Sequence, residues 1–570
     1  MKRPLGEAGG NQQKKSKKAK RKGVKEGSSE EVLLADIRSL LEAQKLSEPT
    51  GNGESTNEES PELTEISDLP EPGTEIEVEV FELSSTGDGL ARQKGSHRIY
   101  VLPFAVPGDT IRVKVYRHLP NEQYSVADFI SVTKPSPLRD DSRIQCKYFG
   151  RCSGCQFQML DYAEQLRLKR TIVEKAFRNF SQLPPELIPQ IQDTIGSPLQ
   201  YNYRTKLTPH FDGPPGFHRR GRGKKQALQE VPEIGFMQKG TRKTLDIEDC
   251  PIGTEAVRKG MKRERERMAV DFGKYQRGAT ILLRESTQRV PKASSDEAEP
   301  QPVEAPADSV IVEADSYTDV KTCITDGNAT STEYIDSFVF TNPAGFFFQN
   351  NNSILPVFTS YIRENILPPP SPSAKPIRYL IDAYSGSGLF TITLSSLFPG
   401  GSTGIDIADK SIAFARRNAA LNGLPEDQCR FIAADAPELF KSVAHYDPDE
   451  TVVVLDPPRK GCDASFLRQL LRFGPRRVVY VSCNVHTQAR DIGMLVRGEV
   501  DFAEDKDREE QEEGGEQKGD AVTTSSPGVR YSIESLRGFD FFPQTGHVEG
   551  VALLNRVDDA PVNTQEADAR

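Results

Sequence analysis

The chain reads as an α/β protein whose carboxyl-terminal part is a Rossmann-like, doubly wound domain, preceded by a small OB-like β-barrel and a mixed α+β central domain. Three observations predict this. Beyond Pro376, apolar strands (Tyr379 to Ala383, Val452 to Leu455, Val478 to Val481) alternate with helical segments. From Thr74 to about Pro135 the apolar period is two, and short strands are punctuated by Gly87-Asp88-Gly89 and Pro107-Gly108-Asp109, as in a small closed barrel. Between them, strands and helices mix.

At 570 residues the chain has room for about three to four domains. Residues 1–68 form a polar, basic tail expected to be disordered, with one helical apolar pattern through Val32-Leu33-Leu34, Ile37 and Leu40-Leu41. Residues 69–135 are assigned to the barrel and 136–340 to the central domain, with a Ser/Glu/Ala/Pro stretch near 286–308 expected as a disordered insertion. Residues 341–570 form the α/β domain, interrupted by an acidic insertion near 498–528. Between Val500 and Asp520 ten acidic residues face three basic ones, so most of the formal net charge of -10 resides there and the folded parts are near neutral. At the other end, seven of the nine residues from Lys14 to Lys22 are Lys or Arg, a block suited to phosphates or to nuclear import. No secretory h-region and no apolar run near the ~18 residues of a membrane span occur. An intracellular protein without membrane attachment is expected, in nucleus or cytoplasm, with the mitochondrion left open.

The strand YLID leads into Ala383-Tyr384-Ser385-Gly386-Ser387-Gly388 and then a helix. Gly386 and Gly388 let a ligand approach the backbone at the sheet's carboxyl edge, where open α/β folds bind ligands. Asp406, about twenty residues on, ends the next strand, where an acid accepts from ribose hydroxyls. With two glycines rather than a full dinucleotide fingerprint, the loop favours S-adenosylmethionine over NAD. Further strands bring Asp435 and Asp456-Pro457-Pro458-Arg459-Lys460-Gly461 to the same edge, the prolines stiffening the second loop.

The strand VVYVS ends in Cys483, flanked by Ser482 and Asn484. Polar neighbours suit a nucleophile better than a packed thiol. A thiolate is what C5 methylation of uracil requires: addition at C6 makes C5 an enolate carbon able to take a methyl group. A base must then remove the C5 proton, and Glu549 in FPQTGHVE is the candidate, with His547 as its rival.

The ordered set Phe348-Gln349, DAYSGSG, DPPRKG, SCN-x-x-T-x-A-R-D (Ser482 to Asp491) and FPQTGHVE resembles the RNA uracil-5-methyltransferase family, over residues from about 70 to 557. The resemblance implies Cys483 as nucleophile, Glu549 as base, and Gln349, Tyr384, Asp406, Asp435 and Asp456 around S-adenosylmethionine. It also makes the barrel similar to a TRAM domain, an RNA-binding module. The sequence departs from the family at Leu389, where Asn is frequent, and at Val485, where Pro commonly follows SCN.

Cys146-x5-Cys152-x2-Cys155 and Cys250 supply four thiols in the central domain, a set that holds either zinc or a 4Fe–4S cluster. The resemblance tilts the choice to iron–sulfur, with a role in folding or RNA placement, since methyl transfer needs no electron. Tyr203, Arg204 and Lys206, and the run containing Arg219 and Arg220, interleave aromatic and basic residues as unpaired-RNA binders do, and Arg459 lies on the loop facing the target base. The expected protein is a monomeric tRNA uracil-5-methyltransferase acting on the T-loop uridine. A ribosomal-RNA enzyme and a non-catalytic RNA-binding or tRNA-folding module are the alternatives.

Overall fold

In Glu75–Leu83, Ile76, Val78 and Val80 turn inward while Glu75, Glu77 and Glu79 face out, which makes this strand one wall of a closed five-stranded barrel. Its other walls are Gly89–Arg92, Ile99–Leu102, Tyr124–Lys134 and Thr110–Leu119. The computed structural model describes residues 24–47, 69–213, 227–292, 305–500 and 529–557, apart from Pro120, Ser371, Ser373 and Asp435.

The amino-terminal apolar pattern is a 19-residue helix, Ser29–Ser47. Its Leu34 and Ile37 are buried against Leu90, Ile99, Val101 and Tyr124 on the outer face of the barrel. The assignment of 1–68 to a disordered tail with one short amphipathic helix is therefore corrected only in that this helix is long and packed on the barrel. The helix finds a receiving surface that a linear reading cannot show, while residues 1–23 and 48–68 lie outside the described residues.

The carboxyl-terminal sheet has eight strands in the order Cys429–Ala433, Gly401–Asp406, Tyr379–Ala383, Thr451–Leu455, Arg477–Ser482, Glu549–Val557, Arg530–Phe539 and Gln192–Ile195. The first five run parallel, and Glu549–Val557 joins them antiparallel. Helices cover both faces, so the central strands TVVVL and RVVYVS are buried along their whole length, as parallel strands with two dry faces must be. Val485–Arg497 and Tyr162–Phe180 pack together on one face, and Leu355–Asn365 and Asp409–Leu421 lie on the other.

That topology corrects a domain boundary. Gln192–Ile195 pairs with Arg530–Phe539, and the preceding helix buries Ile172, Val173, Ala176 and Phe177 in one core with Ala489 and Leu495. Residues 162–195 thus belong with the α/β sheet, although they precede it by nearly two hundred positions in a segment assigned by sequence to 136–340. The insertion expected at 286–308 is also corrected. Leu283–Pro291 is a strand paired with Tyr317–Ile324 along its length, its polar residues tied by the ion pairs Lys321–Glu285 and Arg289–Asp319. Residues 293–304, and the part of the acidic insertion from 501 to 528, lie outside the described residues.

One helix residue violates the apolar rule. Lys169 is fully buried on the inward stripe of Tyr162–Phe180, its ammonium paired with Asp540 and donating to the carbonyls of Phe542 (3.0 Å) and His547 (2.8 Å). Removing one member of a buried ion pair leaves the other charge uncompensated, at a cost of about 3–5 kcal/mol. Lys169→Met is expected to lose that much stability in urea denaturation, and adding Asp540→Leu to recover part of it.

Candidate active site

The first parallel strand delivers Asp382, whose carboxylate accepts from the Thr391 backbone N–H (2.9 Å) and hydroxyl (2.5 Å). This ties the strand to the helix Leu389–Thr393 across the intervening turn. Within the turn Tyr384 has φ 64° and Gly386 φ 53°, and the left-handed conformation of a tyrosine is the kind of strain that collects at ligand sites. Asp406 closes the turn from the neighbouring strand, accepting from Gly386 N–H (3.0 Å) and Ala408 N–H (2.8 Å), and its remaining lone pairs stay available for a hydroxyl. Gly388 has a different task. At φ 90°, a Cβ there would lie 2.8 Å from Phe431 Cζ, so this glycine serves packing and does not line the cavity as the sequence suggested.

Strand register brings the two reactive groups together. Ser482 pairs with Gly550, which sets Cys483 just beyond the end of its strand against Glu549 at the start of the antiparallel one. Gln488 stitches the pair, its amide donating to the carbonyls of Tyr480 (2.7 Å) and Gly550 (3.1 Å). Glu549 is buried, and its Oε1 has no hydrogen-bond partner among the described residues. Burial and the neighbouring Asp456 raise its pKa well above the ordinary carboxylate value, against the pull of Arg459. Burial, Glu549 and Asp456 likewise push the Cys483 thiol up to about 12, with Arg459 again opposing. Asp456 itself is raised to about 7, by burial and by Asp382. All three shifts favour the protonated form. His547, exposed at the cleft, behaves oppositely: desolvation by the nearby cleft walls and the cations Arg459, Lys169 and Arg204 lower its pKa. Of the two candidate bases, Glu549 has the higher proton affinity.

The loop before Glu549 is held by residues the sequence reading did not single out. Besides Lys169, the Gln165 side chain accepts from Gln544 N–H (3.0 Å) and donates to Gln544 Oε1 (3.1 Å). Gln156 Oε1 accepts from Gly546 N–H (2.9 Å), and its amide donates to Thr86 of the barrel (2.8 Å). A signal for Lys169 did exist, since it lies three and four residues before Ile172 and Val173 on a core-facing stripe.

One cavity of about 1140 Å³ joins these parts. Gln349, Tyr384, Gly386, Asp406, Asp456, Arg459, Cys483 and Glu549 all line it; Asp435 lies outside the described residues. Among the expected RNA contacts, Arg459 is exposed at the mouth and Arg204 lines the wall, 6.0 Å from the Phe542 ring centroid. Tyr203 is corrected: it is 2% exposed and its hydroxyl donates to Pro543 O (3.1 Å), so it offers no face for a splayed base. Lys206 commits its ammonium to the carbonyls of Gly345 (3.1 Å) and Phe346 (3.0 Å). Arg219 and Arg220 lie outside the described residues.

Cys146, Cys152, Cys155 and Cys250 line the same cavity. Gly154 N–H points to Cys152 Sγ (3.4 Å). Burial pushes the Cys155 thiol up to about 12 and raises Cys250; Cys146 and Cys152 add to the penalty on both, and Cys155 adds to that on Cys250. Neighbouring thiols penalised in this way are of the chemical type that a cationic centre favours as thiolates. Among the described residues, no group of three or more Cys, His, Asp or Glu is arranged to hold a metal ion.

A parallel sheet with a reversed strand, a tight turn after its first strand and an acid after its second defines a Rossmann-like methyltransferase domain. A family model described as tRNA (uracil-5-)-methyltransferase matches residues 373–499. The tRNA (uracil(54)-C(5))-methyltransferase of Schizosaccharomyces pombe is 40% identical over 548 residues, covering 95% of this chain and 86% of the relative. The Saccharomyces cerevisiae protein of the same name is 37% identical over 590 aligned positions, covering 97% and 85%. Pyrococcus abyssi tRNA (uracil-54, C5)-methyltransferase, solved in complex with S-adenosyl-L-homocysteine, has the same fold at a TM-score of 0.54 and 24% identity, covering 84% of this chain and 99% of its own. The chain belongs to the tRNA (uracil-5-)-methyltransferase family.

Because Arg459 is the cation that favours the Cys483 thiolate, its loss must raise the thiol further. Alkylation of the Cys483 peptide, followed by mass spectrometry, should climb about tenfold per pH unit without a plateau up to about pH 10. Arg459→Ala should be slower at every pH.

Proposed function

We propose that this protein transfers a methyl group from S-adenosylmethionine to C5 of the T-loop uridine of tRNA, through a covalent adduct between Cys483 and C6. The carrying observation is the register that sets Cys483 against the buried Glu549 in the cavity that also contains the Gly386 turn and Asp406. The names of the two yeast relatives specify uracil 54 of tRNA, which favours tRNA over ribosomal RNA as substrate.

The Cys483 thiol gives up its proton to solvent, and attack by the resulting Sγ thiolate forms the S–C6 bond and moves the C5=C6 electron pair towards C5 and O4. S-adenosylmethionine, when bound, supplies an electrophilic methyl group on a cationic sulfur, and Gln349, Tyr384, Gly386, Asp406, Asp435 and Asp456 are the residues to hold it. Once C5 is methylated, Glu549, its own proton having passed to solvent, accepts the C5 proton as a carboxylate; the C–H electrons re-form C5=C6, and the S–C6 bond breaks to return the thiolate. His547, with its lowered proton affinity, is an orienting neighbour, its Nδ1 3.4 Å from Arg459 Nη2. The barrel, residues 69–135, is read as a TRAM-type RNA-binding module beside a central region and the methyltransferase domain. Arg204 and Arg459 are read as RNA contacts at the cavity. Cys146, Cys152, Cys155 and Cys250 are assigned to a 4Fe–4S cluster that fastens the wall of the cavity, and the protein is taken to act as a monomer inside the cell.

An RNA with 5-fluorouridine at the target position should trap the wild-type protein covalently and leave Cys483→Ala free; a band that persists in Cys483→Ala assigns the nucleophile elsewhere. Glu549→Gln should accumulate adduct on ordinary uridine, whereas turnover at the wild-type rate would make His547 the base. The same variant has a stability signature. A carboxyl whose folded pKa exceeds its unfolded value costs stability as pH rises past about 4.5. Glu549→Gln should therefore melt higher than wild type at about pH 8 and level with it near pH 4. Anaerobic purification should yield iron and sulfide that depend on the four cysteines; stoichiometric zinc without sulfide would replace the cluster assignment.

A further inference from the structure

The segment Val24–Ser47 takes no part in the chemistry above, yet it touches both loops that carry that chemistry. Its helix begins with a reciprocal cap: Ser28 Oγ accepts from Glu31 N–H (3.3 Å) and Glu31 Oε2 accepts from Gly27 N–H (2.6 Å). The turn so fixed has Gly27 at φ 68°, and the Gly27 carbonyl accepts from Asn484 Nδ2 (3.4 Å), on the residue that follows the nucleophile. Asn484 Nδ2 also donates to the Arg459 carbonyl (2.8 Å), which the Thr487 hydroxyl reaches as well (3.2 Å). One residue earlier, Glu26 pairs with Arg490 Nη1 (2.6 Å). Arg490 Nη2 in turn donates to the carbonyls of Lys460 (3.1 Å) and Cys462 (3.3 Å) and to Asp491 (2.6 Å), bracing the loop that bears Arg459.

The other end of the segment is anchored away from the site. Asp36, 2% exposed, accepts from Ser85 N–H of the barrel (2.6 Å) and from Asn179 Nδ2 of the helix Tyr162–Phe180 (3.0 Å). Leu34 and Ile37 are sunk into the barrel's outer face, each such burial contributing on the order of 1.5–3 kcal/mol. The segment is thus a strut with one foot on the barrel and the other on the catalytic loops.

We propose that Glu26 and Gly27 are positioning residues, through which this strut holds the Cys483 and Arg459 loops in the geometry needed for attack on C6. The inference rests on the uracil methylation proposed above. It gives the amino-terminal segment a role in the rate of the chemical step. Misplacing a reacting group by about 1 Å is enough to cost around a hundredfold.

The test uses full-length protein and RNA carrying 5-fluorouridine, reading the single-turnover rate of adduct formation, the KM for ordinary RNA and the melting midpoint. Glu26→Lys replaces attraction to Arg490 by repulsion, and Gly27→Val sets a Cβ 3.0 Å from Thr487 Cγ2 at a left-handed φ. Both should slow adduct formation about ten- to a hundredfold with KM and melting midpoint unchanged. Glu26→Asp should restore most of the rate, and Val24→Ser, at an exposed position outside these contacts, should keep all of it. Adduct formation at the wild-type rate in both variants overturns the inference, as does a loss matched by an equal rise in KM or by a fall in the melting midpoint. Wild-type protein that forms no adduct overturns the reaction itself, which separates that failure from the failure of the strut.

Discussion

A lysine without solvent, Lys169, is the constraint on which the rest of the site depends. Its ammonium would cost several kcal/mol to bury alone, and Asp540 with two backbone carbonyls offsets that cost. Those carbonyls belong to Phe542 and His547, on either side of the turn at Gln544, whose φ is 72°. Gln165 and Gln156 fasten the same turn, so helix, barrel and loop are locked before Glu549 begins its strand. Where Glu549 lies relative to Cys483 is settled by this packing and by the pairing of Ser482 with Gly550.

The electrostatics of the site follow from that placement. Glu549 and Asp456 both face Cys483 with Arg459 as the opposing cation, so the pocket favours protonated forms at rest. A thiol raised to about 12 is a sluggish nucleophile until its surroundings change, but its anion is correspondingly basic and nucleophilic. A carboxyl with raised proton affinity is likewise a strong base once ionised. The arrangement sacrifices stability for reactivity, as buried like-charged groups at functional sites commonly do.

Much of this was legible in the residues. Strand-end positions could be read from apolar runs flanked by Gly, Pro and Asp, which placed Asp406, Asp456 and Cys483 on one sheet edge, and the small barrel announced itself through alternation at Ile76, Val78 and Val80. What linear order hid was partnership. Gln192–Ile195 and its helix belong to a sheet formed almost entirely from residues far downstream, and the amphipathic segment at Val32 acquires meaning only from the barrel face that receives it. Tyr203 misled because aromatic-basic interleaving looks alike whether the ring faces solvent or, as here, closes a core. Gly388 misled because a glycine that makes room for Phe431 cannot be told by sequence from one that makes room for a ligand.

The central claim is that Glu549 carries a proton in the resting protein and is poised to act as a base. Infrared difference spectroscopy between wild type and Glu549→Gln at neutral pH tests it most directly. The account predicts a carbonyl band of a protonated carboxyl, sensitive to deuterium exchange, that is present in the wild type and missing from the variant. A difference spectrum containing only ionised-carboxylate bands would contradict it.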